Sequence, residues 1–96
     1  MPEEAKIVRA ILLRHLPENT RVYVFGSRST LGAKPHSDLD LSLEAGEPLP
    51  LSTIAALREA FDESSLPWKI DLVDRAMASE AFGKLVDAQK VPFELD

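Results

Sequence analysis

The sequence predicts an α+β domain, α/β-like in its alternation, built as a small mixed β-sheet with helices packed on one face. Two observations carry that expectation. Segments with helical spacing of apolar residues alternate with short strand-like segments, in the order helix, strand, short turn helix, strand, helix, strand, helix. In the strand Asp38-Leu39-Asp40-Leu41-Ser42-Leu43, polar and apolar residues alternate strictly. Side chains alternate faces along a strand, so the three leucines share one face and the polar residues the other. The apolar face is then the one that meets the helices.

Length and charge bound what such a domain can do. Ninety-six residues supply one core, so residues 1–96 read as a single domain. An apolar share of 45% with mixed charges is that of an ordinary globular protein. No apolar run reaches the ~18–20 residues of a membrane span. The acidic start Met1-Pro2-Glu3-Glu4, leading into an amphipathic helix, argues against a secretory signal. With no cysteine there are no disulfides and no thiolate metal sites, which fits a cytoplasmic location. Eleven basic residues are scattered among 16 acidic ones, for a net charge of −5. Binding of long nucleic acid draws on clustered Lys and Arg, so that class is not expected.

Residues 3–16 read as a helix, with Ile7, Val8, Ile11, Leu12 and Leu16 at spacings of three and four. Glu3 and Glu4 suit its N-terminal end, Arg14 and His15 its C-terminal end; His15 is a dipole partner rather than a ligand. Pro17 to Thr20 form a turn. Arg21 to Phe25 are β-branched and aromatic and read as a buried strand. Gly26-Ser27 follows, then a polar loop through Gly32 and Pro35. After the alternating strand, Glu44 to Pro50 turn. Ser52 or Thr53 caps a helix running to about Ser64, packed by Ile54, Leu57 and Phe61. Trp68 to Asp74 read as a third strand, with Trp68, Ile70 and Leu72 on one face and Lys69, Asp71 and Val73 on the other. Trp68 reads as packing rather than a base-stacking platform, and Asp74, at the strand end, as a cap for the next turn. Ser79 opens a last helix to about Gln89, buried through Phe82, Leu85 and Val86. The tail Val91 to Leu95 either tucks against the domain or meets a partner.

Three carboxylates and one turn stand out chemically. Asp38 and Asp40 lie two residues apart on one strand face, roughly 6–7 Å at the backbone, so their side chains can converge on one cation. Without a cation they repel. Asp71 joins them if its strand is the neighbour. Taken alone it would be a solvent-facing strand residue. Gly26 leaves room for a ligand, and Ser27 offers a hydroxyl and a backbone N–H to a phosphate oxygen. Gly-Ser by itself is an ordinary strand-to-loop turn; the aspartates downstream turn the reading towards a phosphate seat. Arg28, beside that turn, is either a triphosphate contact or an exposed loop arginine. Ser37 either steadies Asp38 or caps the turn. Lys34 and His36 read as solvated.

Gly26-Ser27, Gly32, Ser37-Asp38-x-Asp40-Leu41 and the later strand aspartate Asp71, in that order, resemble the signature of the DNA-polymerase-beta-type nucleotidyltransferase superfamily. The short length resembles its smallest branch, the minimal nucleotidyltransferase (MNT) antitoxins that accompany HEPN-domain toxins. The resemblance covers nearly the whole chain. It departs at Thr30 and Leu31, where many relatives carry a small residue and then an arginine. It implies the nucleotidyltransferase fold and a Mg²⁺-dependent transfer of AMP from ATP to a hydroxyl, a tyrosine, of a HEPN toxin. Asp38, Asp40 and Asp71 would hold two Mg²⁺ ions, Asp71 would also serve the acceptor hydroxyl, and Gly26 and Ser27, with Arg28 and Ser37 nearby, would hold the phosphates.

Two rival readings remain, the first from another class. An idle antitoxin would neutralise its toxin by contact alone, but binding needs no triple carboxylate. An antibiotic-type, small-molecule nucleotidyltransferase would bring a second domain over the acceptor. A structural domain without ligand leaves the acidic set unexplained.

Overall fold

The computed structural model describes residues 3–26, 39–67 and 69–95. Ser27, Arg28, Thr30, Leu31, Lys34, His36, Ser37, Asp38 and Trp68, to which the sequence assigns roles, lie outside the described residues.

Helix α1 spans Glu3–His15, with its acidic and basic ends as the helix dipole prefers. Asn19 takes a φ of 68°, in the left-handed region that asparagine tolerates. The Thr20 hydroxyl donates to the Pro17 carbonyl at 2.8 Å, closing the turn into β1 (Arg21–Phe25). Strand β2 is Leu39–Glu44, α2 Leu51–Asp62 and β3 Ile70–Asp74. A single turn of 3₁₀ helix, Arg75–Met77, leads to α3 (Glu80–Gln89) and the two-residue strand β4 (Val91–Pro92).

The sheet is mixed, in the order β3-β2-β1-β4. β1 runs antiparallel to both β2 and β4, while β2 and β3 are parallel and joined through α2. A parallel pair needs such a crossover. Leu39, Leu41 and Leu43 of the central strand are fully buried, with Val22 and Val24 of β1, under Val8 and Leu12 of α1 and Leu57 and Phe61 of α2. Each leucine buried this way contributes about 1.5–3 kcal/mol. The alternation read from the sequence is thus the core face.

α1 and α2 form the helical layer on that face. α3 makes its sheet contacts through the residues that point the other way: Phe82 packs edge-on against Phe25, and the Lys90 ammonium lies 4.4 Å from the centre of the Tyr23 ring. Its buried residues are Gly83 and Val86; of the buried face expected for it, Leu85 is half-exposed and Phe82 stays partly exposed at the edge of its contact with Phe25. Ser79 caps α3 as expected, accepting from the Phe82 N–H. The cap expected of Ser52 or Thr53 on α2 is absent. The helix starts earlier, with Pro50 at the N-cap, whose carbonyl accepts from the N–H groups of Thr53 and Ile54. Asp74 takes its expected turn role, accepting from the N–H groups of Leu49 at 2.8 Å and Ala76 at 3.2 Å. The tail tucks in: Phe93 is buried and its N–H donates to the Val22 carbonyl. No helix among the described residues is long and apolar enough to cross a membrane.

Candidate active site

The sheet face opposite the leucine core carries the acidic residues. In the parallel register of β2 and β3, Leu39 stands beside Ile70, Asp40 beside Asp71, and Ser42 beside Val73. Asp40 and Asp71 are therefore adjacent residues on one face, separated by one inter-strand spacing of about 4.8 Å at the backbone. The side chain of Asp71 is about half-exposed, with the Lys69 ammonium 3.9 Å from its carboxylate. On the other side of β2, Asp40 faces Phe25 of β1, the residue just before Gly26.

Gly26 follows with φ +79°, a conformation that favours glycine. A Cβ at this position would collide with a carboxylate oxygen of Asp40. The turn and the carboxylate are thus in contact, and glycine is the residue that allows it. The Gly26 N–H donates to the side-chain carbonyl of Gln89, at the end of α3, at 3.1 Å.

The rest of this face is occupied by α3 and its ion pairs. Arg75 donates twice to the Asp87 carboxylate, at 3.2 and 2.9 Å, and its guanidinium lies where a side chain at Gly83 would stand. The Lys90 ammonium contacts Asp87 at 3.2 Å and Glu44 at 3.1 Å. The Arg75 hydrogen bonds, then that from Lys90, pull the Asp87 carboxyl from 3.8 down to about 2. Burial opposes the charge on Lys90, yet its bonds to Glu44 and Asp87 outweigh that and raise its pKa. Ser42, fully buried beneath this layer, donates to Glu44 at 3.4 Å.

Of the residues expected at a site, the fold brings Gly26, Asp40 and Asp71 together. Asp38, Ser27, Arg28 and Ser37 lie outside the described residues. Among the described residues no group of three or more His, Cys, Asp or Glu is spaced to hold a metal ion. The donor set is nonetheless of the right chemistry for Mg²⁺, which takes one or two carboxylates and completes its shell with phosphate oxygens and water. Gln89 and the Glu44–Lys90–Asp87–Arg75 network were not legible in the sequence as parts of this face. One signal pointed to Gln89: with Phe82 and Val86 it forms an i, i+4, i+7 series. A separate hollow of about 530 Å³, lined by Leu12, Leu16, Tyr23 and Phe93 among others, contains none of the acidic pair.

Comparison with known proteins identifies the family and the fold. The chain is 46% identical over 84 residues to a Haemophilus influenzae protein named probable protein adenylyltransferase MntA, covering 88% of this chain and 73% of that one. A crystal structure of a mutant MntA–HpeT toxin–antitoxin complex, with two aspartates changed to glutamate, superposes with a TM-score of 0.74 at 26% identity. That match covers 97% of this chain and 73% of the other. A complex of tri-AMPylated Shewanella oneidensis HEPN toxin with MNT antitoxin shares the fold, with a TM-score of 0.73 at 24% identity over 95% of this chain and 69% of that one. A family profile described as nucleotidyltransferase domain matches residues 5–93. That match runs from the first turn of α1 to the buried Phe93 of the tail, taking in every strand that carries the acidic face. The chain belongs to the nucleotidyltransferase domain family.

Proposed function

We propose that residues 1–96 act as one minimal nucleotidyltransferase domain that transfers AMP from ATP to a tyrosine hydroxyl of a partner HEPN toxin, and so serve as a cytoplasmic antitoxin. The observation that carries this reading is the register pairing of Asp40 with Asp71 beside Gly26. The 46% identity to a protein named as a probable protein adenylyltransferase, and the likeness to a toxin–antitoxin complex, support the substrate and the partner.

In the reaction the acceptor oxygen forms a bond to the α-phosphorus, the bond from that phosphorus to the β-phosphate oxygen breaks, and pyrophosphate leaves. Gly26 seats the β- and γ-phosphates by presenting no side chain, and Ser27, Arg28 and Ser37 would supply donors to them. Asp38, Asp40 and Asp71 would hold Mg²⁺, which when bound neutralises phosphate charge and lowers the cost of ionising the acceptor. β3 is the edge strand, so Asp71 is the outer member of the pair. In this reading it takes the acceptor proton.

The test is transfer of α-labelled ATP, with Mg²⁺, onto the HEPN-type partner, beside an Asp38→Asn/Asp40→Asn double variant. Label entering the partner only with the wild type is the expected result. No label despite a stable complex and measurable MgATP binding would replace this reading with that of a contact antitoxin.

A further inference from the structure

We propose that Gln89 is a positioning residue for the phosphate-binding turn, tying Gly26 to α3 through its side-chain carbonyl. The inference rests on the nucleotidyl-transfer reading and adds to it a residue from the far end of the chain.

The ladder between β1 and β2 ends at the pair Phe25–Asp40, so Gly26 is the first residue beyond it. Its N–H finds its partner 63 residues away, in Gln89 at 3.1 Å. Because the donor is a backbone N–H, the amide must turn its oxygen towards it. Glycine at φ +79° has more backbone freedom than any other residue, and a turn that holds phosphates needs that freedom removed. Two contacts remove it: Asp40 packed against the bare Cα and Gln89 on the N–H.

α3 is a firm base for such a tether. Phe82, Val86 and Gln89 are spaced four and three apart and lie along one side of the helix. Phe82 packs on Phe25, the neighbour of Gly26, with ring centres 6.0 Å apart, and Val86 is fully buried. Ser79 caps one end, and Lys90 pins the other to Glu44 and Tyr23. The Gly26 N–H is therefore already spent. Gln89 thereby fixes the backbone of Gly26 at the start of the turn.

Gln89→Met keeps the length and helix propensity of the side chain but has no oxygen acceptor. Gln89→Glu keeps the acceptor. For Gln89→Met, Kd and KM for MgATP are expected to rise about five-fold, because the loosened turn must then be ordered on binding, with kcat unchanged. Gln89→Glu, measured at high salt to screen its added charge, is expected to bind MgATP as the wild type does. Unchanged Kd in Gln89→Met, a loss confined to kcat, or equal weakening in both variants at high salt would overturn the proposal. The two readings separate cleanly. A wild type that binds MgATP but labels no partner, with the Gln89→Met contrast intact, removes the transfer reading and leaves the tether. An active wild type matched by Gln89→Met removes the tether alone.

Discussion

Asp40 and Asp71 stand opposite each other in the parallel register of β2 and β3, 31 positions apart in sequence and one strand apart in space. Like charges so placed destabilise the fold. Asp71→Asn is therefore expected to lower transfer to the partner by about 100-fold or more, while Tm holds or rises slightly. Label incorporation and a thermal melt on the same preparation check both halves. A variant that loses Tm along with activity would make Asp71 a structural residue.

Gly26→Ala tests the contact between turn and carboxylate. The new Cβ meets the Asp40 carboxylate in a backbone conformation that costs a non-glycine residue about 1–2 kcal/mol. Chemical denaturation should show a loss of that order, and transfer should fall because Asp40 is displaced.

The network that docks α3 predicts an acid dependence. The Asp87 carboxyl is lowered from 3.8 to about 2 in the folded protein, so between those values the unfolded chain binds more protons. The stabilisation is complete above pH 4 and is lost as pH falls towards 2. Tm of the wild type should exceed that of Asp87→Asn at pH 6, and the gap should close over that acid range. Added salt should shrink it at every pH, since the group is exposed.

Leu41→Ala removes a fully buried side chain from the middle of the central strand. A loss of about 2–5 kcal/mol is expected, read from urea unfolding with an unchanged slope. Asp40 and Ser42, on either side of Leu41, face the other way, so nucleotide affinity should survive in the folded fraction.

The sequence carried the parts of this fold that depend on short-range pattern. The alternation in Leu39 to Leu43 placed the core face and, through it, the acidic face. The odd-even phase of Lys69 to Val73 put Asp71 on the side of Asp40, and the parallel register confirmed the match. Ser79 and Asp74 took the capping roles their positions suggested. Long-range and helix-face details were harder to read. Leu85 was expected inside because it is apolar and adjacent to Val86, yet α3 turns Gly83 and Val86 inward and leaves Leu85 half-exposed. Gly83 gives way to the Arg75 guanidinium, a contact between segments that no local period announces. On α2, the carbonyl of Pro50 takes the capping place that the Ser52 and Thr53 hydroxyls advertised. Gln89 looked like an ordinary polar residue at a helix end, because its partner is a backbone group 63 positions earlier.

The short strand β4 has a consequence for the molecule in solution. Phe93 directs its N–H inward to Val22, so by alternation the backbone nitrogen pointing away from the sheet in β4 is that of Pro92. Proline has no hydrogen there to donate. A second chain seeking to add a strand along this border meets an acceptor without its companion donor, which discourages stacking of sheets edge to edge. β3, at the opposite border among the described residues, has no proline and carries Asp71 and Asp74, whose charges oppose the same kind of pairing.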